Sequence, residues 1–293
     1  MDMSSHQEEE EVVSHGLKEN TCQVTCQMDD TVLMGVQQGQ PAPPLLLGNL
    51  GSIQNIVLGQ NTWLDDEVMD HSQALLRRQY PQVGGLYAVT SLTQLTSFSS
   101  PAQGFVQILN VFGNHWVTVS NIGCEEGTLN VYDSLGINNK HDFCSQVVSL
   151  LQYSGKTVWI GWPHVQQQQG WSDCGLFTIA NSLTLCMGGD PGKLCYDQKQ
   201  MRDHLFSCFV DGSLTPFPSC ERTPLPEVHF CDVEVYCTCR RPYRIALELM
   251  VECGRCGEWF HDQCEDLQPD DLISMEEYMC CICRVTHMGK YGK

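Results

Sequence analysis

Eight residues near the C-terminus constrain this chain more than any others: Cys237, Cys239, Cys253, Cys256, His261, Cys264, Cys280 and Cys283. They run C-x-C, C-x-x-C, H-x-x-C, C-x-x-C. Close pairs of thiolate and imidazole donors separated by loops are what tetrahedral zinc sites are made from, and eight donors make two sites. A segment of about 55 residues has too small a core to fold comfortably alone, so bound metal would supply the missing stability. Disulfides are the other use of such spacing, and they belong to oxidising compartments.

The compartment can be read from the rest of the chain. The opening MDMSSHQEEEEVV is acidic and has no basic region followed by an apolar one, so no secretory signal is read. No apolar run approaches the ~18 residues that suggest a membrane span. A soluble, intracellular protein with reduced thiols is expected, which favours zinc over disulfides for the 18 cysteines. The net charge of −19 argues against direct binding to a nucleic-acid backbone. It suits a basic partner, such as a histone tail or a ubiquitin-like protein with Lys or Arg on its docking face.

Residues 1–45 end in the Pro-rich GQPAPP and show no sustained period; they read as a flexible acidic leader in which Cys22 and Cys26 are incidental. Residues 46–219 have globular patterning. DDEVMDHSQALLRRQY spaces Val68, Leu75 and Leu76 as a helix, with acids in its first turn. FVQILNVF, HWVTVSN, TLNVYD and KTVWIGW read as strands, and FCSQVVSLLQYS, CGLFTIANSLTLCM and DQKQMRDHLFSCF as helices. Strands and helices without regular alternation predict an α+β layer structure. The Pro-rich, aperiodic SLTPFPSCERTPLPE sets a linker at 220–232, ahead of a finger at 233–287.

Outside the ligand set, Cys174 has the context of a nucleophile. GWSDCGLFTIA places it at the start of a helix, where the dipole favours the nucleophilic form and its own amide can face an oxyanion. Gly175 reads as room for a substrate to approach. His115 opens one strand and Asp133 ends the next. If those strands are neighbours, the two meet at one sheet edge with Cys174 facing them. A glutamine of HVQQQQGW would then supply a second oxyanion donor.

The motifs WLDDEV, HWVTV, VYDSL and QQGWSDCG, in this order, resemble the papain-like SUMO proteases, the ubiquitin-like-specific protease family, over residues 58–219. The resemblance implies a papain-like fold, a catalytic triad of Cys174, His115 and Asp133, and an oxyanion glutamine at Gln168, with Gln167 as the alternative. It also implies that Trp63 and Trp116 form a narrow tunnel for a Gly-Gly tail, and that Asp66 pairs with a basic residue of a ubiquitin-like partner. The implied activity is cysteine-type peptide or isopeptide cleavage after the C-terminal Gly-Gly of a ubiquitin-like modifier, SUMO favoured, with no cofactor for catalysis. Where the family usually carries Gly three residues before the nucleophile, this chain has Trp171. The rival reading is an inactive protease fold that binds a ubiquitin-like protein without cleaving it.

The C-terminal segment resembles the PHD finger. That resemblance implies cross-braced ligation of two structural zinc ions, one by Cys237, Cys239, His261 and Cys264 and the other by Cys253, Cys256, Cys280 and Cys283, with Cys281 left out. Trp259, Phe260 and Tyr278 match the family's hydrophobic positions. Tyr236, Tyr243, Met250 and Trp259 stand where fingers that read trimethyl-lysine carry their cage, which holds a cation that cannot donate hydrogen bonds by its attraction to aromatic faces. A methylated histone tail is the partner this implies, and a nuclear location follows from the finger alone. Gly254 stands where some readers carry an acid.

Overall fold

The computed structural model describes residues 50–89, 104–136, 143–144, 147–148, 153–225, 228–243, 249–268 and 277–288. The leader expected over 1–45, with Cys22 and Cys26, lies outside the described residues. The chain divides into two compact units, a larger one of Asp30–Val235 with Arg240–Pro242 and a smaller one that contains Tyr236–Cys239 and Tyr243–Lys293. Among the described residues no helix is long and apolar enough to cross a membrane.

The larger unit is α+β. Its strands are β1 (Gly84–Gly85), β2 (Phe105–Val111), β3 (His115–Ser120), β4 (Thr128–Tyr132), β5 (Thr157–Trp162), β6 (Leu194–Tyr196), β7 (Ser219–Glu221) and β8 (His229–Glu234). Six of them form one mixed sheet in the order β1-β2-β3-β4-β5-β8, while β6 and β7 pair separately. The helices are α1 (Leu50–Leu58), α2 (Asp66–Gln79), α3 (Cys174–Cys186) and α4 (Met201–Asp211). Of these, α1 is additional to the helices read from the sequence. The parallel β4–β5 pair requires a crossover. Within it Phe143, Cys144, Val147 and Val148 are helical and buried, in the segment read as a helix.

Period-2 alternation sorts the strand side chains onto two cores, one per face. Val106, Ile108 and Trp116 pack with α1 to α4. Phe105, Leu109, Val117, Val119, Val131 and Ile160 pack on the opposite face with Phe143 and Val147. Burial on both faces explains why β3 has no exposed residue and why α3, sandwiched against the sheet, is buried nearly all round. Thr118, a polar residue in this setting, is satisfied by the Thr178 carbonyl at 2.9 Å.

At the β2–β3 hairpin, Asn114 N donates to Val111 O at 3.3 Å. Phe112 and Gly113 between them have φ of 57° and 75°. Two left-handed central residues are the mark of a type I′ turn, whose first centre suits Asn and strains a bulky L-residue. Phe112→Asn is therefore expected to stabilise the protein by about 1 kcal/mol. Differential scanning calorimetry should show a Tm higher by about 2–4 °C; an unchanged or lower Tm would remove the turn assignment.

Residues 219–234 do not form the linker expected over 220–232. Arg222 donates to His164 O at 2.7 Å and Gly192 O at 2.9 Å, which anchors β7. β8 pairs antiparallel with all of β5, and Val235 is buried beside it. Cys231, Val233 and Val235, just past the prolines, have the spacing of two that marks a strand with one face on a core. The smaller unit begins only at Tyr236. It holds the antiparallel pair β9 (Met250–Glu252) and β10 (Trp259–His261) and the helix α5 (Cys281–Met288). Its buried residues among those described are few: Phe260 and Tyr278, in edge contact, with Cys237, Cys253, His261 and Cys280.

Candidate functional site

Antiparallel pairing of β3 with β4 brings the first residue of β3 to the same sheet end as the residue following β4. His115 and Asp133 meet there. Asp133 Oδ1 lies 2.7 Å from His115 Nε2 and also accepts from Leu135 N at 2.8 Å. An ionised carboxylate only accepts, so Nε2 carries the proton. Both side chains are buried, 7% and 4% exposed, which keeps water from competing for the pair. The other ring nitrogen, Nδ1, is buried too and lacks a hydrogen-bond partner of ordinary geometry among the described residues.

Cys174, at the N-terminus of α3, is the third group at this sheet end. Burial disfavours a charged His115 ring, but hydrogen bonding to Asp133 and then the nearness of Cys174 outweigh it. The His115 pKa is raised from 6.5 to about 9. The imidazole is thus a cation at neutral pH, held between a carboxylate and a thiol.

The same thiol opens onto a cleft of ≈ 210 Å³ lined by Trp63, Leu64, Asp65, Asp66, Asn110, Gly113, Asn114 and Trp116. Asp65 caps α2 by accepting from Val68 N at 3.0 Å. The cap holds the preceding Trp63–Leu64 segment at the cleft and places Asp66 in the first turn. Trp116 is anchored by its Nε1, which donates to Leu64 O at 2.9 Å, whereas Trp63 is half exposed. The Asn110, Gly113 and Asn114 wall was not read from the sequence. Its one local signal was the G-N step directly before His115.

One expectation needs correction. A Cβ at Gly175 would lie 3.0–3.2 Å from Leu64 side-chain atoms. This glycine permits close helix packing rather than substrate approach. Gln168 is engaged with backbone and Ser134: its Nε2 donates to Gly170 O at 3.1 Å and its Oε1 accepts from Ser134 Oγ at 2.8 Å. Gln167 donates to Asp133 O at 3.0 Å. Both glutamines therefore brace the Asp133–Ser134 segment in this structure, and Trp171 stands almost fully exposed nearby in sequence.

In the smaller unit the eight donors converge as two groups, Cys237, Cys239, His261 and Cys264, and Cys253, Cys256, Cys280 and Cys283. Within each group all donor atoms lie within 4.8 Å of one another. Three thiols with an imidazole, and four thiols, are the donor chemistry and spacing of closed tetrahedral zinc sites, and zinc fits both. No described cysteine is in a disulfide. Cys281 stands outside both groups, its amide donating to Glu265 at 3.0 Å. The β9–β10 register sets Glu252 opposite Trp259 and Met250 opposite His261. Strand alternation then gives Met250 and Trp259 a common face as diagonal neighbours. Tyr236 is partly buried and Tyr243 exposed.

Fold and site together define an α+β unit with a thiol, a histidine and a carboxylate at one sheet end, joined in sequence to a two-site zinc finger. No family model matches the chain. Over 59% of its length it is similar to the C-terminal Ulp1 protease domain solved in complex with Smt3, the yeast orthologue of SUMO, at 14% identity, 99% coverage of that chain and a TM-score of 0.40. Over 50% it is similar to the Xanthomonas campestris effector XopD bound to ubiquitin, at 16% identity, 90% coverage and a TM-score of 0.34. The short C-terminal region matches histone lysine demethylase PHF8 of Danio rerio, 42% identical over 55 residues, 19% of this chain and 5% of that protein. It likewise matches lysine-specific demethylase 7A of Homo sapiens, 38% identical over 53 residues, 18% of this chain and 6% of that protein. The chain thus spans only about a twentieth of the length of these curated relatives.

Proposed function

We propose that the protein is a cysteine isopeptidase or peptidase that cleaves after the C-terminal Gly-Gly of a ubiquitin-like modifier, SUMO favoured, and that its finger reads a methylated histone tail. One observation carries the first part: Cys174 opens onto the cleft formed by Trp63, Asp66 and Trp116 while His115, hydrogen-bonded to Asp133, stands at the same sheet end. A cleft between a fixed and a half-exposed tryptophan admits an extended tail of glycines and excludes side chains. Asp66 at its rim offers a charge to a basic residue of the modifier.

In the reaction the Cys174 thiolate attacks the glycine carbonyl carbon, and the carbonyl π electrons move to oxygen. The oxyanion is held by the Cys174 amide, with Gln168 joining once it leaves Gly170. Collapse breaks the C–N bond, and the His115 imidazolium gives its proton to the departing amine. Water then adds to the thioester and His115 takes its proton; collapse breaks the C–S bond, releasing the carboxylic acid and restoring the Cys174 thiolate beside the His115 imidazolium. Asp133 keeps the ring oriented throughout. No step calls for a metal.

The finger's zinc ions, held by the two donor groups, are structural. Met250 and Trp259 on one face, with Tyr236 and Tyr243 from the segment before β9, supply the cage for a quaternary ammonium. The acidic composition suits a basic tail, and the matches to histone demethylases agree with a nuclear setting.

Purified protein incubated with SUMO and ubiquitin carrying a C-terminal thiol-reactive warhead should be labelled by one of them, SUMO first, and Cys174→Ala should not. Absence of labelling from folded, zinc-loaded protein would leave the rival reading, a fold that binds a modifier without cleaving it. In parallel, trimethyl-lysine peptides should bind the full chain and lose at least about tenfold in affinity with Trp259→Ala; equal binding would remove the cage.

A further inference from the structure

Two helices of the larger unit begin with aspartate at the N-cap, and they behave differently. Asp65 has extended backbone, φ −89° and ψ 178°, and its carboxylate caps α2. Asp173 precedes α3 with φ −101° and ψ 8°, and its side chain makes no cap hydrogen bond. Aspartate is among the strongest N-caps when its backbone is extended; at Asp173 the backbone is not, and the carboxylate is held away from the helix. Arg202 on α4 does so, with Nη2 2.5 Å from Asp173 Oδ1 in a pair whose side chains are 12% and 16% exposed. Gln198 Nε2 takes the other oxygen at 2.7 Å.

Both partners are fixed by their remaining contacts. Arg202 donates to Val57 O at 2.9 Å and Thr62 O at 2.7 Å, tying the end of α1 and the residue before Trp63 to the same guanidinium. Gln198 accepts from Gln169 N and donates to Gln169 O, each at 2.8 Å, tying in the glutamine loop. Ser172, at 3.4 Å, is the remaining group on the carboxylate. With the extended backbone of Asp65, a released Asp173 would accept from Leu176 N, as Asp65 accepts from Val68 N on α2. It would thereby set a negative charge beside Cys174, whose counter-ion is His115.

We propose that Arg202, with Gln198, is a positioning residue that holds the Asp173 carboxylate off the N-terminus of α3, keeping the first-turn amides and the Cys174 thiol free of an anionic cap. The proposal rests on the nucleophile assigned to Cys174 above. Arg202→Gln releases the carboxylate, and Asp173→Ala in that background removes it.

The test follows alkylation of Cys174 by iodoacetamide, read by peptide mass spectrometry across pH about 6 to 10, a measurement that needs no substrate. Arg202→Gln is expected to slow alkylation about tenfold at neutral pH and move the profile to higher pH. The double variant Arg202→Gln/Asp173→Ala should recover to within about threefold of the parent. A purely structural Arg202 predicts the opposite, a double variant as slow as the single, and that result or an unshifted single variant overturns the proposal. If Arg202→Gln does not fold, Gln198→Leu, which spares α1, serves in its place. It should slow alkylation about threefold, reversibly by Asp173→Ala, and no slowing overturns the proposal. A protein that turns over no SUMO or ubiquitin substrate would count against the protease reading while leaving this result to stand on its own.

Discussion

Removing zinc is expected to unfold the C-terminal unit and leave the larger one folded. The small unit buries two large side chains, Phe260 and Tyr278, around three cysteines that are themselves zinc donors. At about 1.5–3 kcal/mol per buried side chain, that core cannot order the chain around it, whereas structural zinc supplies on the order of 10 kcal/mol at neutral pH. The larger unit has two extensive cores that contain no donor cysteine. Metal analysis should give two zinc ions per chain. A strong chelator should then abolish the protease resistance of residues 236–288 while the calorimetric transition of the larger unit persists. Fewer than two ions, or an unchanged digestion pattern, would sink the assignment. Cys253→Ser should act like the chelator, because it removes a buried donor.

His115→Ala is expected to lower kcat/KM by about a thousandfold, and the pH profile tests why. The folded pKa of His115, about 9, lies above the ordinary 6.5. Its protonated form therefore stabilises the fold fully below pH 6.5, and that contribution fades as pH rises through 9. The imidazolium that would protonate the leaving amine is lost over the same upper range, so kcat/KM should fall on an alkaline limb near pH 9. Asp133→Asn removes the hydrogen-bonding carboxylate that does most to raise the pKa. Its limb should move towards 6.5, together with a large fall in kcat from loss of ring orientation. An alkaline limb unmoved by Asp133→Asn would assign the titration to another group. A His115→Ala protein with near-normal turnover would remove His115 from the mechanism.

Much of this was legible in the chain because the signals were local. The C-x-C, C-x-x-C, H-x-x-C, C-x-x-C run names its ligands by spacing, since a tetrahedral site needs short pairs separated by loops. Val, Ile and aromatic enrichment bounded by Gly and Asn in FVQILNVF and HWVTVSN marked β2 and β3, and acids before Val68 marked the start of α2. The three residues proposed as catalytic could be read because each sits at the end of an element: His115 opens β3, Asp133 follows β4 and Cys174 opens α3. Such ends are where a sheet and its covering helix present side chains to one another.

What local sequence misread or left unread were features whose meaning depends on contacts made in the fold. The Pro-rich stretch looked like a linker because proline density is a local property, whereas β8 exists through pairing with β5, some seventy residues earlier. Gly175 looked like an opening for substrate until Leu64, from the segment before α2, proved to need the space. Gln168 could be placed by its distance from Cys174 along the chain but not by the hydrogen bonds that Ser134 and Gly170 impose on it.

By itself, then, the sequence determined the two-zinc ligand set, the α+β class of the larger unit and the identity of the three residues that meet at its sheet end. These follow from spacing, periodicity and position at element ends. Only the tertiary structure decided that Trp63, Asp66, Trp116 and Cys174 share one cleft, that β8 closes the sheet before the finger begins, and that Arg202 holds Asp173 away from the helix it would otherwise cap. Those are contacts between residues tens to more than a hundred positions apart, and no local pattern encodes which distant side chain will reach a given hydrogen-bonding group first.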